Sequence, residues 1–298
     1  MELNEIKSKF LNADRIITIL DKKARFRASF IRNSSTVKTS QEKHNLAQFP
    51  AALLAKYLTS ASLISSFLKG EERIILDISS DGLLEKVFAE AMPIGEVRGF
   101  IRYGNHSDSA LKKMIQNGFF KLSKILYDKG EPVTGIIEIN SENVEDIIED
   151  YFANSEQVPT FIKLETGFDD NNIIKSSAGI LVQSLPGVSL KELNEVRTHI
   201  KNIRSLNNSL NGDNDLTNSL QQYLPFDFDV IKTSRVDFFC RCSKNNFISK
   251  LYTLPVEEIE SMHSEHQNEL VCQFCNAHYY LSNDDFTRII NDLKAKKN

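Results

Sequence analysis

The chain has 298 residues, of which 41% are hydrophobic and 26% charged, and a formal net charge of −4 at neutral pH. That length supports a packed core with a smaller body beside it. The mild acidity argues against a general nucleic-acid binder, which carries a basic surplus. The amino-terminal MELNEIKSKFLNADR has no apolar run after its charges, so no secretory leader is expected.

The longest apolar stretch is AALLAKYLTSASLISSFLKG, residues 51–70. Lys56 and several hydroxyl residues interrupt it, and Gly70 closes it, so it predicts a buried helix with a glycine C-cap and not a membrane span. RIILDIS (73–79) predicts a strand, and DGLLEKVFAEA a turn leading into another strand or a short helix. GEVRGFIRY (95–103) and the β-branched PVTGIIEI (132–139) also predict strands. SENVEDIIEDYFANSEQVP (141–159) is a capped acidic helix stopped by Pro159. FIKLETGF (161–168) and AGILVQSLPG (178–187) complete the strand set, the latter ending in a Pro-Gly turn. Asp77, Asp81, Glu90 and Glu96 are expected as solvated or turn residues and not as a carboxylate pair. Helices do not follow every strand, so the expected class is α+β.

Ser189 followed three residues later by Glu192 is a capping box. Leu190, Leu193, Val196, Ile200, Ile203, Leu206 and Leu210 then recur every three or four residues, one apolar stripe on a helix that Gly212 stops. A second helix fits NDLTNSLQQYL, with Leu216, Leu220, Tyr223 and Leu224 on one side and Pro225 at its end. Asn and Ser abound in both, so their stability should come from docking and not from propensity. The domain plan is an N-terminal mixed α/β core over 1–188, an amphipathic helical linker over 189–235 and a small C-terminal zinc-binding domain over 236–298.

All four cysteines lie in that last segment: Cys240 and Cys242 as C-x-C, then, after 29 residues, Cys272 and Cys275 as C-x-x-C. Four thiolates from two short knuckles suit one tetrahedral Zn²⁺ per chain. His263, His266 and His278 lie nearby, but four sulfurs complete a tetrahedron, so the histidines are expected as exposed or supporting groups. Arg241 and Lys244 could offset the site's negative charge, or simply face solvent. Phe238, Phe239, Phe247, Ile248, Leu251, Leu254, Ile259, Val271, Phe274, Tyr279 and Tyr280 are the expected core, too few to fold the module without metal. Each close cysteine pair could alternatively close its own disulfide and eject the ion; a C-x-C ring is strained and readily reduced.

FFCRCS, LPVEEIESM and ELVCQFCNAHYYLS together resemble the C-terminal zinc domain of the bacterial redox-regulated 33 kDa heat-shock chaperone family. LKGEERIILDISSDGLLEKVFAEA, GEVRGFIRY, YFANSEQVPTFIKLE and AGILVQSLPG resemble that family's N-terminal domain in content and order. The resemblance implies a cytoplasmic, ATP-independent holdase that is inactive when reduced and zinc-bound. It further implies that Cys240, Cys242, Cys272 and Cys275 are the zinc ligands and that oxidation forms Cys240–Cys242 and Cys272–Cys275, with Cys272 and Cys275 reacting first. Zinc release, unfolding of the C-terminal region, homodimerisation and binding of unfolding client proteins would follow. The stripe from Leu190 to Leu210 is then the candidate client surface. Neither nucleic acid nor membrane is an expected partner. A zinc-ribbon accessory protein of transcription or translation is the alternative. Against it stand the C-x-C knuckle, where ribbons usually have two C-x-x-C, and a final segment whose acidic residues outnumber its basic ones. A thiol oxidoreductase is disfavoured because no C-x-x-C opens a helix in a βαβ setting.

Overall fold

The structure is a computed structural model that describes residues 14–104, 114–127, 129–206, 220–221 and 223–297. Two compact units divide the chain, 1–239 and 240–298.

The first unit is built on two sheets and a central helix. One sheet has five strands, β1 (Arg15–Asp21), β2 (Phe26–Arg32), β8 (Thr160–Phe168), β9 (Ile174–Ser184) and β10 (Phe228–Arg235), in the order β10-β1-β2-β9-β8, all antiparallel. The other has β3 (Arg73–Ser79), β4 (Leu84–Ala91), β5 (Glu96–Tyr103), β6 (Phe119–Ile125), β7 (Val133–Glu138) and β11 (Asp237–Phe238), in the order β11-β5-β4-β3-β6-β7. Only the short β11–β5 pair is parallel. Helix α1 (Ser34–His44) follows β2, and α2 (Gln48–Ser65) runs between the two sheets, touching strands of both.

Helix α2 is buried almost all round, as its sequence implies. Its hydroxyls do not strand polar groups in the core: Thr59, Ser60 and Ser62 donate to the carbonyls of Ala55, Lys56 and Leu58 at 2.7–2.9 Å. The helix stops at Ser65, five residues short of the expected glycine cap, and Gly70 instead takes a positive φ in the turn before β3. The acidic helix α3 (Val144–Tyr151) is capped by the Asn143 side chain, which accepts from the Asp146 N–H at 3.1 Å, and loosens into one π-helical turn over Phe152–Glu156. The strands expected at 73–79, 95–103, 132–139, 161–168 and 178–187 are present, and DGLLEKVFAEA resolves as the strand β4. Glu90 departs from its expected solvation. It is buried, with Arg73 at 3.0 Å and Arg98 at 2.6 Å across neighbouring strands. Asp77 likewise pairs with Lys86.

The five-stranded sheet is apolar on both faces. Ile16, Ile31, Ile162, Leu164 and Leu181 point into the main core with α2 and the second sheet. Ile17, Ile19, Phe26, Ala28, Phe30, Phe161, Ala178, Ile180 and Val182 point the other way. What covers them is the segment after β9. Helix α4 (Leu190–Lys201) begins at the capping box, with Ser189 Oγ accepting from the Glu192 N–H at 3.3 Å and Glu192 accepting from the Ser189 N–H at 3.1 Å. Leu193, Val196, Ile200, Leu206, Leu220 and Leu224 from this segment are buried against the sheet, and Ile203 is partly so. Leu190 lies off the stripe, 66% exposed, while Leu210, Leu216 and Gly212 fall outside the described residues. The linker drawn over 189–235 is therefore not helical throughout: Phe228–Arg235 pairs with β1 as an edge strand, because its backbone completes the ladder on that side.

Polar contacts pin the cover at its rim. Lys163 Nζ donates to the carbonyl of Ile203 at 2.6 Å and lies 3.4 Å from that of Ile200, satisfying the carbonyl end of α4. Glu165 accepts from the Leu206 N–H and the Ser205 hydroxyl, both at 2.9 Å. Arg197 pairs with Glu149 and lies over the Phe161 ring.

Gly95 makes the passage from one sheet to the other feasible. It sits in the β4–β5 turn at φ +96°, accepts from the Asp237 N–H at 2.9 Å, and a Cβ there would fall 1.6 Å from the Arg235 carbonyl oxygen. Gly95→Ala combines an unfavourable φ with that overlap and should cost roughly 2–4 kcal/mol. The expected readout is a lowered urea midpoint for the first unit; an unchanged midpoint would show that the crossing can shift freely.

Candidate metal centre

The second unit is small. Helices α5 (Lys244–Leu251), α6 (Val256–Ser264) and α7 (Asn283–Lys297) accompany a two-stranded hairpin, β12 (Glu269–Val271) and β13 (His278–Tyr280). Its apolar core is Ile248, Leu251, Ile259, Leu281, Phe286 and Ile289. The expected core was only partly right: Val271 and Tyr280 are exposed, Phe238 and Phe239 belong to the first unit, and Leu281, Phe286 and Ile289 had not been singled out. Val271 and Tyr280 sit on the open face of a two-stranded hairpin, where nothing covers alternate positions.

Local chemistry sets each knuckle. The hairpin pairs Val271 with His278, so the chain must reverse within Cys272–Ala277. The Cys272 N–H bonds the Ala277 carbonyl at 2.9 Å, and the Cys272 carbonyl accepts from the N–H of Asn276 at 2.7 Å and of Cys275 at 3.3 Å. Asn276 takes the left-handed conformation this reversal needs, at φ +55°. Cys240 and Cys242 precede α5, whose N-cap Ser243 accepts from the Asn246 N–H at 3.2 Å, so the helix start fixes where the C-x-C stretch ends.

The folded chain brings all four sulfurs together. Every Sγ lies within 4.8 Å of the others, with Cys240 and Cys272 at 3.7 Å and Cys242 and Cys275 at 3.4 Å. A tetrahedral ion with metal–sulfur bonds of ~2.3 Å needs sulfur–sulfur edges of about 3.8 Å, so this donor set fits one soft or borderline divalent ion. Cys272 and Cys275 are buried and Cys240 and Cys242 half-buried. Burial pushes the Cys272 thiol up, against the N–H groups of Phe274 and Cys275; burial also raises Cys275, against the N–H of Ala277. Cys242 also feels burial, but the Tyr279 hydroxyl and the neighbouring thiols hold it below the ordinary thiol range. The opposed directions are what neighbouring thiols at one site produce, since a charge on one disfavours a charge on the next, and a bound cation would favour the thiolates.

Tyr279, expected from the sequence only as a core residue, also reaches the site. Its hydroxyl lies 3.2 Å from Cys242 Sγ and 3.1 Å from the Cys242 carbonyl, and its ring packs on Phe247 at 5.5 Å. The bond to Cys242 pushes the phenol up to about 12. None of the three histidines contributes to the cluster. His278 pairs with Glu269 at 2.7 Å, His263 stacks on Phe286 with ring centres 4.8 Å apart, and His266 occupies a left-handed turn position. Lys244 is 2.6 Å from Asp285 in the first turn of α7, so this ion pair ties the starts of α5 and α7 together.

The chain is similar to known proteins over most of its length. The family described as Hsp33 protein matches residues 14–282. The 33 kDa chaperonin of Streptococcus agalactiae is 28% identical over 291 residues, covering 94% of this chain and 99% of its own length. That of Lactococcus lactis is 26% identical over 288 residues, covering 93% and 100%. The fold is similar to the crystal structure of the 33 kDa chaperonin, a heat shock protein 33 homolog, from Thermotoga maritima. The TM-score is 0.83 at 22% identity, with 96% of this chain and 100% of that one covered. Among the described residues no helix is long and apolar enough to cross a membrane.

With six core side chains, the second unit should depend on metal for its fold. A strong chelator under reducing conditions should abolish amide protection across 240–297 while leaving that of β3–β5 intact. Protection retained throughout both units would show that the small core folds alone.

Proposed function

The chain belongs to the Hsp33 protein family, and on that basis we propose that it is a redox-regulated, ATP-independent chaperone that holds unfolding proteins and is not an enzyme. The observation that carries the reading is the convergence of the chain's four cysteines at one site in a unit with a minimal core. In the reduced, inactive state Cys240, Cys242, Cys272 and Cys275 hold one Zn²⁺ per chain. Bound zinc supplies a cross-link between the two knuckles and keeps the sulfurs as thiolates.

Oxidation removes that support. For each disulfide, two thiolates, one peroxide and two protons give one S–S bond and two waters, so each sulfur pair gives up two electrons. The assigned pairs are Cys240–Cys242 and Cys272–Cys275, the latter first. A disulfide sulfur is a poor metal donor, so the knuckles lose the ion and the small unit loses its fold. Chain order then matters: Cys240 directly follows Phe239, whose N–H bonds the Val97 carbonyl at 2.9 Å, and β10–β11 join it to the segment over the first sheet.

That segment is the proposed gate. Of the stripe expected from Leu190 to Leu210, the docked residues Leu193, Val196, Ile200, Ile203 and Leu206 are the proposed client-binding surface, with the sheet face beneath as the counterpart. Lifting the segment uncovers both at once, because each is the other's cover. Unfolding proteins present apolar surface that would bind there. We further propose that the active form is a homodimer, that clients bind without nucleic acid or membrane, and that the protein works in the cytoplasm.

The reading is tested by measuring zinc and free thiols before and after peroxide with mild heating, while following light scattering from an aggregating client. Suppression of aggregation should rise as zinc leaves and four thiols disappear; equal suppression by the reduced, zinc-loaded protein would refute redox control. A second test bypasses oxidation. Ile200 is fully buried against the sheet, and Ile200→Ala should cost about 2–4 kcal/mol of docking. The reduced variant should keep its zinc, lose amide protection over 190–206 at least tenfold, and suppress aggregation in part. Lost protection without any gain in holdase activity would place the client surface elsewhere.

A further inference from the structure

Between the metal centre and the covering segment the chain passes one buried point, Val236, where it leaves β10 for β11. Side chains do little to hold β10 itself, since Asp229 to Thr233 are exposed. Val236 is fastened by both of its backbone groups. Its N–H donates to the Asp14 carbonyl at 3.0 Å, and its carbonyl lies 3.2 Å from the Thr36 hydroxyl. The same hydroxyl donates to Asp14 Oδ2 at 2.7 Å, and the Thr36 N–H meets that oxygen at 2.6 Å. Asp14 and Thr36 are buried with it.

The carboxylate stands there because α1 has no side-chain cap of its own. Asn33, at the N-cap position, makes no such bond to the helix; its amide donates to Thr59 Oγ1 at 2.9 Å instead. Asp14, just before β1, takes the N–H groups of Ser35 and Thr36 and so caps the helix from another element. Burial pushes its carboxyl up, against those hydrogen bonds and the nearby Arg32. Hydrogen bonds to a buried carboxylate are among the strong ones, so Thr36 is held firmly where it meets Val236.

We propose that this clasp of Asp14 and Thr36 on Val236 is the stop at which loss of the second unit's fold halts, and that the covering segment lifts only when the clasp opens. The inference rests on the function proposed above. With 240–298 unfolded, the Phe239 and Asp237 N–H bonds to the Val97 and Gly95 carbonyls are what remain between the loose chain and the clasp. Fraying that reaches Val236 must lift a buried side chain and two paired backbone groups together, a larger step than unpairing an exposed rung. Past that step the exposed ladder of β10 can unpair in turn, and the segment between β9 and β10 loses one of its two fastenings.

The test removes zinc without an oxidant. Full-length reduced protein is treated with a strong chelator and followed by amide exchange and by light scattering from an aggregating client. Wild type should lose protection over 240–297 and keep it over 190–206 and 228–236. Thr36→Val keeps the side-chain shape and a similar helix propensity while removing the hydroxyl. Before chelation it should carry one zinc per chain and protect β3–β5 as wild type does. After chelation its protection over 228–236 and 190–206 should fall on the order of tenfold below that of chelated wild type, and it should suppress aggregation while still reduced. Ser29→Ala is the control, because Ser29 is buried in the same unit but bonds the Leu63 carbonyl of α2 at 3.1 Å. It should leave 228–236 protected. Equal protection in chelated wild type and Thr36→Val would overturn the inference. So would an equal loss in Ser29→Ala, or a wild-type β10 stripped by chelation alone. Protection lost in Thr36→Val without any gain in holdase activity would support the clasp and count against the client surface proposed above.

Discussion

An antiparallel sheet usually keeps one face for the core and gives the other to water. The five-stranded sheet of this protein does not. Its second face carries Ile17, Ile19, Phe26, Phe30, Phe161, Ile180 and Val182, and such a face in contact with water would draw copies of the chain together. The fold therefore requires a cover, and the cover is the least self-sufficient part of the first unit. A 12-residue helix with modest propensity does not persist alone in water; it is held by its apolar stripe and by the polar rim of Lys163, Glu165 and Glu149.

The second unit has the complementary weakness. Six apolar side chains and a short hairpin offset little of the chain entropy of its residues, and the four clustered sulfurs are proposed to complete its stability around one ion. Two marginal elements follow one another in the chain, one docked by apolar contact and the other proposed to be tied by metal. The large core around α2 needs neither. A stress that unties the knuckles thus acts on a part whose loss the rest of the molecule survives.

The elements legible in the sequence were those whose pattern has a local cause. The alternation in RIILDIS, the β-branched run in PVTGIIEI and the Ser189–Glu192 box each dictate structure from neighbours a few residues away, and each is present. The cysteine spacing was legible for the same reason, since knuckle geometry is local. What could not be read depended on distant partners. Phe228–Arg235 is a mostly exposed strand whose only reason for being extended is the free edge of β1, more than 200 residues earlier. Glu90 is buried because Arg73 and Arg98 happen to flank it across strands. Tyr279 showed one signal, its place four residues after Cys275 on the strand leaving the knuckle. Nothing local says that its hydroxyl meets a residue 37 positions upstream.

The return of the chain as β10 carries a consequence of its own. The covering segment leaves the sheet at the end of β9 and rejoins it at β10, on the far side of β1 and β2, so it is a strap fastened at both ends. A strap that lifts stays within a few nanometres of the surface it left, at an effective concentration on the order of millimolar. A client on that surface, as proposed, would compete with a tethered rival that never diffuses away. Capture would then be favoured only while the strap is kept from closing, and reclosure would need no partner, only the chain itself. Release would be unimolecular, its rate independent of how much protein is present.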